Sequence, residues 1–146
     1  FKEIPVGKGR KICDGEEIAI LTFGHIGNEA SKAILKLRED GIHPAHYDMR
    51  FAKPLDEALL HEVFKKYTKV ITVEDGCLPG GIGSAILEFM ADHHYEAQVL
   101  RLGIPDGIVE HGEQAELWHI CGYDAVGIED QVRKLTKGIK TETLVG

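Results

Sequence analysis

The chain has 146 residues, of which 43% are hydrophobic and 28% are charged, and its 24 acidic and 17 basic residues give a net charge of −7. This length and composition are typical of one soluble globular domain with a single core. The negative charge argues against nucleic acid or an anionic membrane as the main partner, and no apolar run is long enough to span a bilayer.

The first residue of the chain predicts a piece of a longer polypeptide, and the cysteines predict a reducing compartment. The first residue is Phe1, and no signal-like segment follows it, so we expect a cut or processed product. Three widely spaced cysteines, Cys13, Cys77 and Cys121, argue against a disulfide framework. A cytoplasmic location is therefore expected.

The first elements are a linker, two strands and a helix. Residues 1–15 mix glycines with basic residues, which predicts a linker that enters an edge strand near Arg10–Cys13. The apolar run Ile18–Phe23 predicts a central parallel strand that is buried on both faces. Asn28 is expected to cap the next helix, and Gly41 to end it. The buried stripe of that helix is Ala30, Ala33, Ile34 and Leu37.

A strand and a second helix follow. Apolar and polar residues alternate over 45–51, which predicts a strand with one better-buried face, stopped by Pro54. Asp56 is expected to cap the helix. Its apolar positions are Leu59, Leu60, Val63, Phe64 and Tyr67, and its charged ends, Glu57 at the start and Lys65 and Lys66 at the finish, suit the helix dipole.

Residues 70–84 are the stretch around which the chain is arranged. Val70–Val73 predicts a buried strand, Glu74 and Asp75 an acidic turn, and the Gly- and Pro-rich loop leads to a helix that begins at Gly81. The apolar stripe of this helix is Ile82, Ile86, Phe89 and Met90, and the helix is expected to end near His93. Such turns at the carboxyl ends of strands are where α/β domains bind ligands and partners.

The last third predicts one strand and two helices. Val99, Leu100, Leu102 and Ile104 indicate a fourth core strand, and Pro105–Gly107 a turn. A helix is expected over 113–121, ended by Gly122, and a final helix carries Ile128, Val132 and Leu135. Residues 139–146 have no pattern and form a tail, so the domain proper is assigned to 16–138.

Together these elements alternate as β, β, α, β, α, β, α, β, α, α. The alternation predicts a three-layer αβα domain with a mostly parallel sheet of about five strands, one of them an antiparallel edge strand.

The glycine loop has a functional and a structural explanation. Gly80, Gly81, Gly83 and Ser84 stand at a helix start, where free N–H groups could hold an anion. No Lys follows Gly81-Ile82 as in a P-loop, and Ile86 stands where the dinucleotide pattern requires Gly or Ala. We prefer the structural explanation, in which the glycines permit a tight turn and close packing of helix on strand.

Other candidate sites are weaker. Glu74 and Asp75 are adjacent on a strand and should face opposite ways, so one of them is expected to bind the N–H groups of the glycine loop rather than to form an acid/base dyad. The spacing of histidines and cysteines makes structural zinc improbable, and the histidines are expected to be surface or cap residues. Ser84 lacks the context of a nucleophile elbow.

Arg50 and Lys53 lie where a strand ends, at the edge of the sheet that should carry a crevice. They could contact an anionic ligand or a neighbouring domain, or Arg50 could pair with a carboxylate such as Asp48 or Glu74. Both explanations stay open, and a domain interface would satisfy both.

Several segments resemble the C-terminal domain of transketolase-like, thiamine-diphosphate-dependent enzymes over about residues 4–136. The matching segments are Asp48-Met-Arg-Phe-Ala-Lys-Pro-Leu-Asp56, Val73-Glu74-Asp75, Gly80-Gly81-Ile-Gly83-Ser84, Leu102-Gly-Ile-Pro-Asp106 and Cys121-Gly-Tyr-Asp-Ala-Val-Gly-Ile128. Their order and spacing are most similar to the branch that condenses pyruvate with glyceraldehyde 3-phosphate and releases carbon dioxide. Transketolase itself and the β subunit of 2-oxoacid dehydrogenases are alternatives, and a free-standing anion-binding module is a further one.

The resemblance implies which roles this chain has and which it lacks. In that family thiamine diphosphate and Mg²⁺ supply the carbanion chemistry, and the preceding domains hold them. Their motifs are absent from this chain, so no catalytic, cofactor or metal residue is assigned here, and the fragment is expected to be inactive. Its implied partners are the preceding pyrimidine-binding domain and the second subunit of a homodimer. The candidate contact residues are Arg50, Lys53, Glu74, Gly80, Gly81, Gly83 and Ser84.

Overall fold

A five-stranded sheet forms the middle layer of the domain in a computed structural model that describes residues 3–138. The strands are β1 (Arg10–Cys13), β2 (Ile18–Phe23), β3 (Ala45–Asp48), β4 (Lys69–Cys77) and β5 (Gln98–Ile104). Their spatial order is β1-β3-β2-β4-β5, with β1 antiparallel to β3 and every other pair parallel. The predicted fold class and the antiparallel edge strand are confirmed, whereas the predicted tail at 139–146 lies outside the described residues.

Among the described residues 3–138, five helices cover the two faces of this sheet. They are α1 (Gly27–Glu39), α2 (Glu57–Lys66), α3 (Ile82–Asp92), α4 (Gln114–Ile120) and α5 (Ala125–Thr136). The predicted order of strands and helices is confirmed throughout. Within residues 3–138 no helix is both long and apolar enough to cross a bilayer.

Strand β2 shows how the sequence builds two cores. Its residues alternate between the faces of the sheet, as side chains in any strand do. Ile18 and Ile20 pack in a cluster with residues of α1, α4 and α5, whereas Ala19 and Leu21 pack in a second cluster with residues of α2 and α3. All four are buried, so the prediction of a strand enclosed on both sides is confirmed.

The two predicted helix caps had opposite outcomes. Asp56 caps α2 as predicted, because its side chain accepts a hydrogen bond from Leu59 N at 3.1 Å. The same carboxylate accepts from Gly9 N at 3.0 Å and pairs with Lys8 at 3.4 Å. The prediction for Asn28 was wrong: α1 begins at Gly27, without a side-chain cap, because the turn after β2 closes on backbone bonds such as Gly27 N to Gly24 O.

Three strand predictions needed correction. Strand β3 ends at Asp48 instead of running to Phe51, and its two faces are both buried, since His46 is as inaccessible as its neighbours. Strand β4 continues through the supposed acidic turn to Cys77, with an irregular register after Val73. Strand β5 lies at one edge of the sheet: its apolar residues pack against the two cores as predicted, but only Leu102 among them is buried.

Candidate functional site

A cleft of about 420 Å³ opens at the carboxyl edge of the sheet, where the glycine loop meets the ends of β2 and β3. Phe23 closes β2, Ala52 belongs to the segment between β3 and α2, and residues of β4, the glycine loop and the start of α3 supply the remaining wall. Three of these lining residues are glycines, namely Gly76, Gly80 and Gly81. The fold thus brings the predicted glycine loop and the Arg50–Lys53 segment to one edge.

Glu74 joins the strand to the helix that follows it. Its carboxylate is 4% exposed and accepts hydrogen bonds from Ile82 N and Gly83 N, both at 2.9 Å. Helix α3 has no side-chain cap and no acidic residue in its own first turn. The negative charge that favours a helix N-terminus therefore comes from β4. The predicted binding of loop N–H groups by one acidic residue is confirmed for Glu74.

The loop is held from its other side by a residue that sequence reasoning missed. Arg101 of β5 donates from Nη1 to Leu78 O at 2.8 Å and to Ser84 Oγ at 2.9 Å. Ser84 Oγ in turn donates to Leu78 O at 2.9 Å and accepts from Gly80 N at 3.2 Å. The available signal was a charged residue inside an otherwise apolar strand, Val99-Leu-Arg-Leu102.

Position 81 requires glycine because there is no room for a side chain, and not because of its backbone conformation. Its φ is −79°, which any residue can adopt, but a Cβ there would collide with the Glu74 carboxylate and with the carbonyl oxygen of Cys77. We predict that Gly81→Ala lowers the free energy of unfolding by about 2–3 kcal/mol, as overpacking does in other tight sites. Urea denaturation followed by circular dichroism would measure it.

Gly107→Ala is the matched control for that substitution. A Cβ at Gly107 would meet nothing within 4 Å, so the change should stay within about 0.5 kcal/mol of the parent. Equal stability of the Gly81→Ala and Gly107→Ala variants would contradict the packing explanation of the glycine loop.

Arg50 occupies a strained turn beside the cleft. Its φ is +58°, and the turn is closed by a bond from Phe51 N to Met49 O at 2.6 Å. Asp48 supports the turn by accepting from Arg50 N at 3.1 Å, and its other oxygen lies 3.9 Å from Arg50 Nε. A side chain other than glycine at positive φ carries a cost and is often found at functional positions.

The other predicted contact residues are accessible to different degrees. Lys53 and Gly80 are exposed, Gly81 and Ser84 are half-buried, and Gly83 is buried. A Cβ at Gly83 would press on Thr72 and Arg101, so this glycine serves packing between α3 and the sheet. Gly83 and Glu74 therefore position the loop by packing and by hydrogen bonds, and they are not themselves exposed for contact with a partner.

Asp75 points away from Glu74, as predicted for neighbours on a strand. It is exposed and accepts from Tyr123 Oη at 2.9 Å and from Gln114 Nε2 at 3.2 Å. Burial, together with the hydrogen bond to this carboxylate, raises the pKa of Tyr123 above its ordinary value. The two carboxylates face different clefts and do not form a dyad.

The histidines do not assemble a metal centre in the described part of the chain. Among residues 3–138 no three His, Cys, Asp or Glu side chains are arranged to hold a metal ion. The expectation that histidines are surface or cap residues was wrong for His46, which is 2% exposed. His46 Nε2 lies 2.9 Å from Thr22 Oγ1, and Nδ1 lies 3.5 Å from Ser31 Oγ.

Comparison with known families and proteins gives one consistent result. The family model described as transketolase, C-terminal domain, matches residues 7–128. Proteins named 1-deoxy-D-xylulose-5-phosphate synthase are similar over nearly the whole chain. The one from Cytophaga hutchinsonii is 63% identical over 136 residues, which are 93% of this chain and 21% of the relative.

More distant relatives carry the same name. The Parabacteroides distasonis protein is 53% identical over 90% of this chain and 21% of its own length, and the Aquifex aeolicus protein is 41% identical over 94% and 22%. This chain thus spans about a fifth of the length of the curated relatives it matches. A solved structure described as a split gene transketolase, inactive β4 tetramer, superposes with a TM-score of 0.83 at 28% identity, covering 91% of this chain and 43% of that one.

Proposed function

The chain belongs to the transketolase C-terminal domain family, and from this premise we propose that it is the C-terminal domain of a 1-deoxy-D-xylulose-5-phosphate synthase. The whole enzyme would condense pyruvate with glyceraldehyde 3-phosphate and release carbon dioxide. The observation that supports this most is the 63% identity to the Cytophaga hutchinsonii protein over 93% of the chain. Since only about a fifth of that relative is matched, the catalytic steps are assigned to the parts beyond these residues.

Within that enzyme the domain would stabilise the homodimer and would pack against the preceding pyrimidine-binding domain. Thiamine diphosphate and Mg²⁺ would be held elsewhere. The free state of Cys13, Cys77 and Cys121 supports a reducing compartment, for which we propose the cytoplasm.

The alternative of a free-standing anion-binding module has less support. The N–H groups of Ile82 and Gly83 that would receive an anion already donate to Glu74. An external phosphate would have to displace a buried carboxylate and leave it without partners, which is costly. The transketolase alternative rests on a structure only 28% identical to this chain.

A chimeric enzyme tests the proposal. The matched segment of the Cytophaga hutchinsonii protein would be replaced by this chain, and carbon dioxide release from pyruvate with glyceraldehyde 3-phosphate would be assayed. We expect turnover within about threefold of the unmodified relative. A folded chimera without turnover, as judged by circular dichroism, would contradict the proposed function.

The 146-residue chain by itself provides a second test. Calorimetric titration with thiamine diphosphate and Mg²⁺ should give no heat of binding, since we propose no cofactor site here. Saturable binding would overturn that assignment, and the Gly80–Ser84 loop would be the first segment to examine.

Arg50→Ala in the chimera is predicted to weaken subunit and domain association more than it alters chemistry. The half-buried side chain stands in a strained turn at the edge of the sheet, and its one ion pair among residues 3–138 is a long one, 3.9 Å to Asp48. We expect the dissociation constant, from sedimentation velocity, to rise about tenfold while kcat of the assembled enzyme stays within twofold. Lys36→Ala, on the exposed side of α1, is the control. Native association with selectively lost turnover would point instead to a catalytic contact.

A further inference from the structure

An apolar groove lies at the outer edge of the domain, between the segment after β5 and helix α4. We name it the α4 groove, and it is lined by Pro105, Ile108, Val109, Leu117, Ile120 and Cys121 around a volume of about 440 Å³. Ile108 is 99% exposed, and Ile120 is 66% exposed. Single exposed apolar residues are ordinary on a protein surface, but two that line one groove form a patch suited to a partner.

Two acidic residues, Glu110 and Glu116, line the groove. The segment 102–132 contains seven acidic residues and no Lys or Arg, which leaves 17 acidic residues to balance 17 basic ones in the rest of the chain. Of these seven, Glu129 and Asp130 pair with basic residues of α5, so the acidic residues before α5 carry the unbalanced charge. Asp106 and Glu113 are next to lining residues in the sequence. These two and the lining residues Glu110 and Glu116 are exposed, and none of the four forms an ion pair among residues 3–138.

This charge decides which occupant fits. A second copy of the chain would bring the same carboxylates against themselves, and like charges across an interface are strongly unfavourable. A nucleic acid or anionic membrane is disfavoured for the same reason. An apolar surface flanked by Lys or Arg side chains would bury Ile108 and Ile120, and its basic groups would form ion pairs with the carboxylates that have none.

We propose that the α4 groove docks an apolar, basic surface in the part of the longer synthase that lies outside these 146 residues. The inference rests on the proposed function, because this chain spans only about a fifth of its relatives and so leaves most of the polypeptide to supply that surface. The groove also adjoins the carboxyl edge of the sheet. A neighbouring cleft shares Glu110, His111 and Leu117 with it and reaches Asp75 at the end of β4.

Hydrogen–deuterium exchange tests the proposal on two proteins, the 146-residue chain and the Cytophaga chimera described above. We expect the backbone amides of residues 108–121 to exchange at least tenfold more slowly in the chimera. Ile108→Ser with Ile120→Ser should remove most of that protection, whereas Leu35→Ser, which is 67% exposed on α1, should not. The two groove residues are exposed, so their replacement leaves the core intact.

Salt dependence provides the second readout. In the chimera, protection of residues 108–121 should weaken as the salt concentration rises, because salt screens attraction between opposite charges. Glu110→Gln with Glu116→Gln should flatten that dependence of protection on salt. Equal exchange in both proteins, or equal protection in the Ile108→Ser, Ile120→Ser variant of the chimera, would overturn the proposal. Protection that appears in the 146-residue chain only at high concentration would favour a second copy and would overturn it too.

The failures of the two proposals are distinguishable. A chimera that turns over substrate without protecting the groove would retain the proposed function and refute the docking surface. A chimera that protects the groove but has no turnover would refute the synthase assignment and retain the docking surface.

Discussion

Glu74→Ala is expected to lower the free energy of unfolding by about 3–5 kcal/mol, because it leaves two buried N–H groups without an acceptor. The carboxylate accepts hydrogen bonds from Ile82 N and Gly83 N, both at 2.9 Å, and Glu74 is only 4% exposed. No acidic residue in the first turn of α3 could replace it. Helix α3 should therefore lose its ordered start, and its first-turn amides should exchange with solvent far sooner than those of its middle.

Two further variants make this expectation specific. Glu74→Gln keeps the shape but offers one acceptor oxygen for two donors, so we expect a loss of about 2 kcal/mol. Glu88→Gln, on the exposed side of the same helix, should stay within about 0.5 kcal/mol. Urea denaturation at neutral pH is the measurement. A loss below 1 kcal/mol for Glu74→Ala would mean that the loop finds other acceptors.

His46 is expected to make the domain sensitive to acid. Burial lowers the pKa of His46 to about 4, against an ordinary value of 6.5, and the nearby Asp48 carboxylate only partly opposes this. The unfolded chain therefore takes up a proton below pH 6.5 that the folded domain refuses until about pH 4. Stability supplied by the neutral ring is complete above pH 6.5 and is lost as the pH falls toward 4, about 3 kcal/mol in all.

Comparing the pH dependence of stability in the parent and in a His46 variant separates this effect from the titration of carboxylates. The stability of the parent and of His46→Gln would be measured by urea denaturation at pH 7.5 and at pH 4.5. The parent should lose about 2–3 kcal/mol more than the variant over that interval. Equal losses would show that His46 is solvated or charged in the folded domain.

Local pattern was enough to predict most elements of the domain. The run Ile18–Phe23 marked the central strand at its observed bounds, and the stripe on α1 is buried as expected. These predictions succeed because burial on one or two faces leaves a periodic record in the sequence. Asp56 was identifiable because a cap and its N–H partner lie three residues apart.

What could not be predicted depends on contacts between distant residues. The edge position of β5 leaves no mark on Val99–Ile104, since an apolar run looks alike at the centre and at the rim of a sheet. His46 was misjudged because Thr22 and Ser31, which accommodate it, come from other elements. The contact of Arg101 with the glycine loop was not predicted, because this residue of β5 lies 17 residues from Ser84 in the sequence.

Residues before β1 are held to Asp56, and this affects how firmly the domain would stay bound to the rest of the proposed synthase. Gly9 is held to the start of α2 by that carboxylate, and Gly7 lies against Pro54, within a few residues of Arg50 and Lys53. A preceding domain of the proposed synthase would therefore be joined to this domain beside the turn that carries Arg50 and Lys53. A short tether raises the local concentration of two joined surfaces to about the millimolar range. Individually weak contacts at the turn and at the α4 groove would then suffice, and a cut in the tether would release a domain that rebinds only poorly.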